Sequence, residues 1–210
     1  MISTNFNELE RIARSDTQVF PTFYQRVRAG LQIPNGGKWD VLRGVAEHAA
    51  FPGYKEHIRF GVLSLDGSGV RNYGECSMVM KDKMVAHRTS LFEDNNVIFT
   101  VYEQKTTMAD AVNLKPGYRA TWDEREKLCV AKFHRHLIPT LKVTDFSALL
   151  LTQGATSADD RFVELHIWGS LTIRSVERVR IHRQRRRPLK AAIEDVKRLL
   201  ARYRVALETV

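Results

Sequence analysis

The stretch Phe162-Val163-Glu164-Leu165-His166-Ile167-Trp168-Gly169 decides how the chain is read. Val163, Leu165 and Ile167 alternate with Glu164, His166 and Trp168. Successive strand side chains point to opposite faces, so this period of two predicts a β-strand. One face is apolar, and the other carries a carboxylate, an imidazole and an indole. Gly169-Ser170 ends the strand in a turn, and Leu171 to Ile181 is expected to resume as strand, with Val179 and Ile181 opposite Arg178, Arg180 and His182. Upstream, residues 153–160 are rich in Gly, Ser, Thr and Asp and read as a surface loop.

Further toward the N-terminus, Ile58, Phe60 and Val62 alternate with Arg59, Gly61 and Leu63, predicting a strand that enters the Asp66-Gly67-Ser68-Gly69 turn. Tyr73 to Met80 and Val97 to Tyr102 read as further strands, the second so apolar that a central position is expected. Met84 to Phe92 fits a short strand or an extended loop, and Phe146 to Leu151 is a short apolar run. Helical spacing governs the two ends. Leu9, Ile12, Val19, Phe20, Phe23, Val27 and Leu31, after the cap-like residues Ser3 to Asn7, predict two short helices broken at Pro21, and Trp39 to Ala50 predicts a third. Tyr118 to His136 reads as a helix after Pro116-Gly117. At the C-terminus, Pro188 suits a first helical turn, and Leu189, Ala192, Ile193, Val196, Leu199, Leu200, Tyr203 and Leu207 form one stripe. The expected class is α+β: one domain over 1–210, with a helical part at 1–52, a mixed or antiparallel sheet at 57–182 and an amphipathic helix at 188–207.

Composition agrees with a folded domain, with 43% hydrophobic and 27% charged residues. There are 33 Lys and Arg against 24 Asp and Glu, a net charge of +9, which favours encounter with phosphate-bearing partners. Cys76 and Cys129 sit in apolar surroundings without the spacing of a zinc site and are expected to be core thiols, so no metal is assigned. No apolar run approaches the roughly 20 residues that span a bilayer. The expectation is therefore a cytoplasmic protein, or one acting in the cytoplasm of a target cell, with no membrane partner.

Glu164 and His166 share a strand face beside a flexible loop, where a carboxylate can orient a sugar hydroxyl or act as base and an imidazole can move protons. The same pattern also fits a solvated sheet face. His87-Arg88-Thr89-Ser90 sets hydroxyls beside a guanidinium, a combination suited to phosphate or ribose, and equally to a turn with a helix cap. Arg59 is a lone charge in an apolar strand and needs an anionic partner unless it faces outward on an edge. There is no His-Glu-x-x-His, Cys-x-x-Cys, nucleophile elbow or dinucleotide fingerprint.

In order along the chain these clusters resemble the three-part signature of ADP-ribosyltransferase domains of bacterial and phage toxins. Tyr73-Gly74, Arg88-Thr89 and the segment Phe162 to Gly169 carry the likeness. The resemblance implies an enzyme that uses NAD as substrate. Arg59 would hold its phosphates, Thr89 and Ser90 would stand for the hydroxyl motif that supports the nicotinamide ribose, and Arg88 and Tyr73 would be further cofactor-binding residues. Glu164, assisted by His166, would be catalytic, and a protein or nucleic acid would be the acceptor. Two departures stand out: the hydroxyl motif reads Arg-Thr-Ser rather than Ser-Thr-Ser, and Phe162 occupies the place of a second acidic or amide residue.

A competing expectation comes from charge alone. Arg178, Arg180, His182, Arg183, Arg185, Arg186 and Arg187 form the densest cationic feature, which fits a nucleic-acid-binding protein or a metal-independent ribonuclease using Glu164, His166 and Arg88. The run contains no aromatic residue for base stacking, and a solvated linker explains it as well.

Overall fold

A computed structural model describes residues 1–30, 38–100, 117–182 and 190–210, with backbone alone at 38 and 39. The chain opens with β1 (Ile2–Thr4), not with a helix: Asn5 rather than Ser3 caps α1 (Phe6–Ala13), its side chain accepting from the Glu8 N–H at 2.8 Å. Thr22 and Gln25 form a capping box that starts α2 (Phe23–Arg28), and α3 (Lys38–Ala50) follows. Then come β2 (Ile58–Val62), β3 (Cys76–Met80), α4 (Asp82–Val85), β4 (Thr89–Phe92), α5 (Asn96–Ile98) and β5 (Arg119–Thr121). The chain continues through α6 (Arg125–Phe133), α7 (Asp145–Leu150), β6 (Leu151–Thr152), β7 (Arg161–Phe162), β8 (Glu164–Trp168), β9 (Val176–Ile181), α8 (Lys190–Ala201) and β10 (Ala206–Thr209). The α+β class holds.

Two four-stranded sheets dominate, ordered β1-β3-β9-β10 and β2-β8-β4-β5. The second is antiparallel throughout, whereas β10 joins the first parallel to β9. The main apolar core draws on both sheets: Leu91, Leu165 and Ile167 meet Ile2, Met78 and Val179, and α1 and α8 add Leu9, Ile12, Val196 and Leu200. Each fully buried side chain of this kind is worth about 1.5–3 kcal/mol. Gly61 lets the sheets approach, because a Cβ there would lie 2.5 Å from the Met1 carbonyl oxygen, which instead accepts the Val62 N–H at 2.8 Å.

Several elements differ from the sequence pattern, each for a local reason. Val97 and Ile98 are helical rather than a central strand, since the Asn95 side chain accepts both of their N–H groups and imposes a helix start; Val101 and Tyr102 lie outside the described residues. The predicted helix 118–136 begins as strand β5, which completes the sheet edge beside β4, and only then coils. Leu171 to Ser175 is not strand: a single bridge joins Thr172 to Val19 and a 3-10 turn fills Ile173–Ser175. The C-terminal helix stops at Ala201, since Arg204 adopts φ 58° and turns the chain back so that Leu207 enters β10 instead of the helix stripe. Pro188 and Leu189 lie outside the described residues, among which no helix is long and apolar enough to cross a membrane.

Candidate functional site

Strand β8 runs between β2 and β4, with Val62 opposite Glu164, Phe60 opposite His166 and Arg59 opposite Ile167. Alternation therefore puts Glu164 and His166 on one face of the sheet and Arg59 on the other. The face of Glu164 and His166 is covered rather than solvated. Phe51, just beyond α3, meets the His166 ring edge-on at 4.5 Å, and Phe60 and Phe92 complete an aromatic surround at 5.5 and 6.3 Å. His166 is 3% exposed and Glu164 7%. Trp168, the third residue of that face, is 46% exposed and packs against Tyr54 and His57.

Glu164 is tightly oriented. Its Oε2 accepts the Asn96 backbone N–H at 2.8 Å, from the first turn of α5, and lies 3.2 Å from His166 Nε2. The carboxylate lines a cavity of about 330 Å³ along the free edge of β2, walled by β1, α2, α3 and the 95–97 segment. Arg26, Arg43, Glu47, Tyr73, Asn95 and Asn96 bring polar atoms to the same space, and Phe23, Phe60 and Phe162 supply apolar wall. The size is that of a small-molecule site.

Two buried side chains in this wall have unmet polar atoms. Glu47, 3% exposed, has its Oε2 without a hydrogen-bond partner, and Asn96, also 3% exposed, has its Nδ2 unpaired. Nearly all buried polar groups are paired; neither of these atoms has accessible surface, and the Tyr24 hydroxyl, likewise buried, engages the Glu47 carboxyl. Glu47 stands on α3 one turn after Arg43, whose Nε is 3.6 Å from Glu47 Oε1 and whose guanidinium lies over the Phe23 ring. Burial pushes the Glu47 carboxyl up to about 7, and the charge on Glu164 adds to the rise against the opposing effects of Tyr24, Arg43 and Lys55. Tyr73 is pushed up to about 12 by burial and then by Glu164, and its hydroxyl accepts from Asn95 Nδ2 at 3.4 Å.

Arg59 is built in differently. At 3% exposure its guanidinium donates to the carbonyls of Phe20 (2.9 Å), Gly169 (2.9 Å) and His57 (3.3 Å), and to Gln25 Oε1 (3.3 Å). Arg59 forms part of the cavity wall, and its charged head ties α2 and the 168–170 turn to β2. Burial, and next the charge of Arg88, lower Arg59 to about 10. Arg88 clasps the same turn from the other side, donating to the carbonyls of Trp168 (2.6 Å) and Ser170 (3.0 Å). Thr89 is buried on the Arg59 face with its hydroxyl on the Val85 carbonyl at 2.7 Å, and Ser90 is exposed. Of the residues read from sequence, Glu164 and Tyr73 meet in the cavity and His166 backs Glu164. Arg88, Thr89 and Ser90 do not line it.

The cationic strand is partly neutralised within the fold. Glu208 on β10 pairs with Arg180 Nε at 2.6 Å and lies 3.6 Å from Arg178, and Arg180 also reaches the Asp66 carbonyl. Arg183, Arg185, Arg186 and Arg187 lie outside the described residues. Among the described residues no group of His, Cys, Asp and Glu is arranged to hold a metal.

Sequence reading did not single out Arg26, Arg43 or Glu47. The available signal was Glu47 itself, a charge set among Ala46, Ala49 and Ala50 on the apolar side of a helix. Comparison with family models, with curated proteins and with solved structures returns no match for this chain.

Proposed function

We propose that the chain is an NAD-consuming enzyme of the ADP-ribosyltransferase type, with the cavity beside β2 as its active site and Glu164 as the catalytic carboxylate. One observation carries the reading: a strand carboxylate, fixed by the Asn96 N–H and His166, lines a pocket that is also lined by Arg26 and Arg43. Cleavage of a ribosyl–nicotinamide bond develops positive charge at the ribose. A preoriented carboxylate stabilises that charge more in the transition state than in the ground state. Glu164 needs no reorganisation to do so, since two partners already hold it.

The volume suits the nicotinamide riboside end of the dinucleotide, with the diphosphate directed to Arg43 and Arg26. Arg26 has no ion-pair partner among the described residues. Phosphate binding thus moves from Arg59, whose donors are taken by carbonyls, to these two arginines. Asn96 Nδ2, buried and unpaired, is the donor assigned to a ribose hydroxyl, which it reaches once the wall shifts on binding.

The test is NAD binding by calorimetry together with nicotinamide release. Wild type is expected to bind NAD saturably and release nicotinamide. Glu164→Gln is expected to bind it comparably and to lose release by roughly hundredfold or more, the scale of losing one preorganised electrostatic contact. Absence of binding at millimolar NAD, or unchanged release by the variant, overturns the proposal.

A further inference from the structure

We infer that the open end of the β2-β8-β4-β5 sheet face is a docking platform for single-stranded nucleic acid, centred on Trp168, a surface that does not depend on whether the cavity cleaves NAD. Alternation along β8 puts Trp168 on the face of Glu164 and His166. Register places Ser90 opposite His166, and Thr121 opposite Ser90, on that same face. Phe51 covers the face at His166. Beyond that cover, Trp168, Ser90 and Thr121 are all exposed.

The indole is held in place by its surroundings. Trp168 pairs with Ile58 on β2, its carbonyl accepts from Arg88 at 2.6 Å, and the Gly169 N–H donates to the His57 carbonyl at 3.1 Å. Tyr54, itself 40% exposed, makes a T-shaped contact with the indole at 5.5 Å, and the exposed His57 ring lies 5.3 Å from it. Three adjoining rings thus face water with their orientation set in advance, so little side-chain freedom is lost when a base stacks on them.

Charge and size choose the occupant. On the segments that carry the platform, 53–57, 87–90 and 168–170, Lys55 and Arg88 stand against Glu56 alone, and Glu56 is paired with Arg28. The net charge of +9 steers a polyanion toward the molecule. Two aromatic rings and an imidazole are too few for a stable protein interface, which buries about 800 Å² on each partner, but they match one or two bases. A duplex keeps its bases stacked inside, whereas a single strand can lay them on an indole, and Ser90 and Thr121 add hydroxyls for the strand's backbone. Strand β9 offers a poorer site, since Arg178 and Arg180 face Glu208 and the strand holds no aromatic ring.

The test is binding of an oligodeoxythymidine strand of roughly 12 nucleotides, within the span one such surface covers, and of a duplex of the same length, at low salt. Wild type, Trp168→Ala and Trp168→Phe are compared, with tryptophan emission followed in parallel. Wild type is expected to prefer the single strand, to lose affinity as salt rises and to show quenched emission on binding. Trp168→Ala should bind roughly tenfold or more weakly, the scale of one lost stacking contact, and Trp168→Phe, which keeps a ring, within about threefold of wild type. The quenching should be missing from Trp168→Phe although Trp39 and Trp122 remain, a readout that stands even if Trp168→Ala does not fold. No binding of the strand by wild type, equal binding of the duplex, wild-type affinity in folded Trp168→Ala, or quenching that survives in Trp168→Phe overturns the platform. Nicotinamide release, measured separately, is untouched by any of these results.

Discussion

Arg59 and Glu47 are equally buried, at 3% exposure each, and both border the same cavity, yet the fold treats them in opposite ways. Arg59 is met by three backbone carbonyls and the Gln25 side chain. Glu47 has only a distant Arg43 at one oxygen and the Tyr24 hydroxyl, outside ordinary hydrogen-bond geometry, beside its carboxyl. A buried charge whose hydrogen bonds are all made inside the chain holds segments together; one left incomplete costs stability and persists where something outside the chain completes it. By that measure Arg59 is architecture and Glu47 is the less settled of the two charges, the reverse of what a search for lone charges in strands suggests.

The strongest way to break the comparison is to remove the satisfied charge. Arg59→Met keeps the apolar stem but strands the carbonyls of Phe20 and Gly169, while the His57 carbonyl still accepts the Gly169 N–H, and unmet buried acceptors cost about 1–3 kcal/mol each when water cannot reach them. With partial rehydration of the turn, urea denaturation is expected to show a loss of about 3–4 kcal/mol, near the top of what single substitutions do. NAD affinity of the molecules that remain folded should be unchanged. A variant that folds like wild type and no longer binds NAD would exchange the roles of the two residues.

What the sequence made legible follows the range of the forces involved. The period of two around Glu164 placed it correctly on one face with His166, because side-chain direction in a strand is a local property. The tight turn at Gly169, with φ 79°, was equally local. The cover over that face was not legible, since it depends on α3 and α5 arriving from residues far away in the chain, and with it went the burial of Glu164 and of Glu47. Arg59 was noticed as a charge in need of a partner. Its partners proved to be carbonyls of residues 20 and 169, which no pattern announces. Val97 and Ile98 show a local signal overruled by another: β-branched residues favour strand, but the Asn95 cap directly ahead of them starts a helix.

Removing the unsatisfied charge should do the opposite of removing the satisfied one. Below pH 4.5, the ordinary value for the side chain, Glu47 is protonated in both the folded and unfolded chain and its charge costs nothing. Between 4.5 and about 7 the folded chain keeps a proton that the unfolded chain has released, so stability falls as pH rises, and above about 7 the loss is complete. At 1.36 kcal/mol per pH unit that interval corresponds to a ceiling of about 3 kcal/mol. Glu47→Gln abolishes the titration. Denaturation midpoints are expected to match wild type near pH 4.5 and to exceed it at pH 8 by about 2 kcal/mol. A gain of the same size at both pH values would trace the effect to packing and not to charge.

Asn96 makes the finest test, because the same residue has a satisfied half and an unsatisfied half. Its backbone N–H holds Glu164 at 2.8 Å, while its side-chain Nδ2 is buried and unpaired. Asn96→Ala leaves the first intact and deletes the second, so the carboxylate should keep its orientation. Stability is expected to change by less than about 1 kcal/mol, since the lost amide made no internal bond at Nδ2 to forfeit. Loss of a donor to a bound hydroxyl, by contrast, should weaken NAD binding by about 1 kcal/mol, roughly fivefold in Kd. Calorimetry and urea denaturation on the one variant separate the two halves. A stability loss of about 2 kcal/mol with unchanged Kd would show that an unpaired atom in this wall is part of the packing after all, and the distinction drawn between Arg59 and Glu47 would then rest on Glu47 alone.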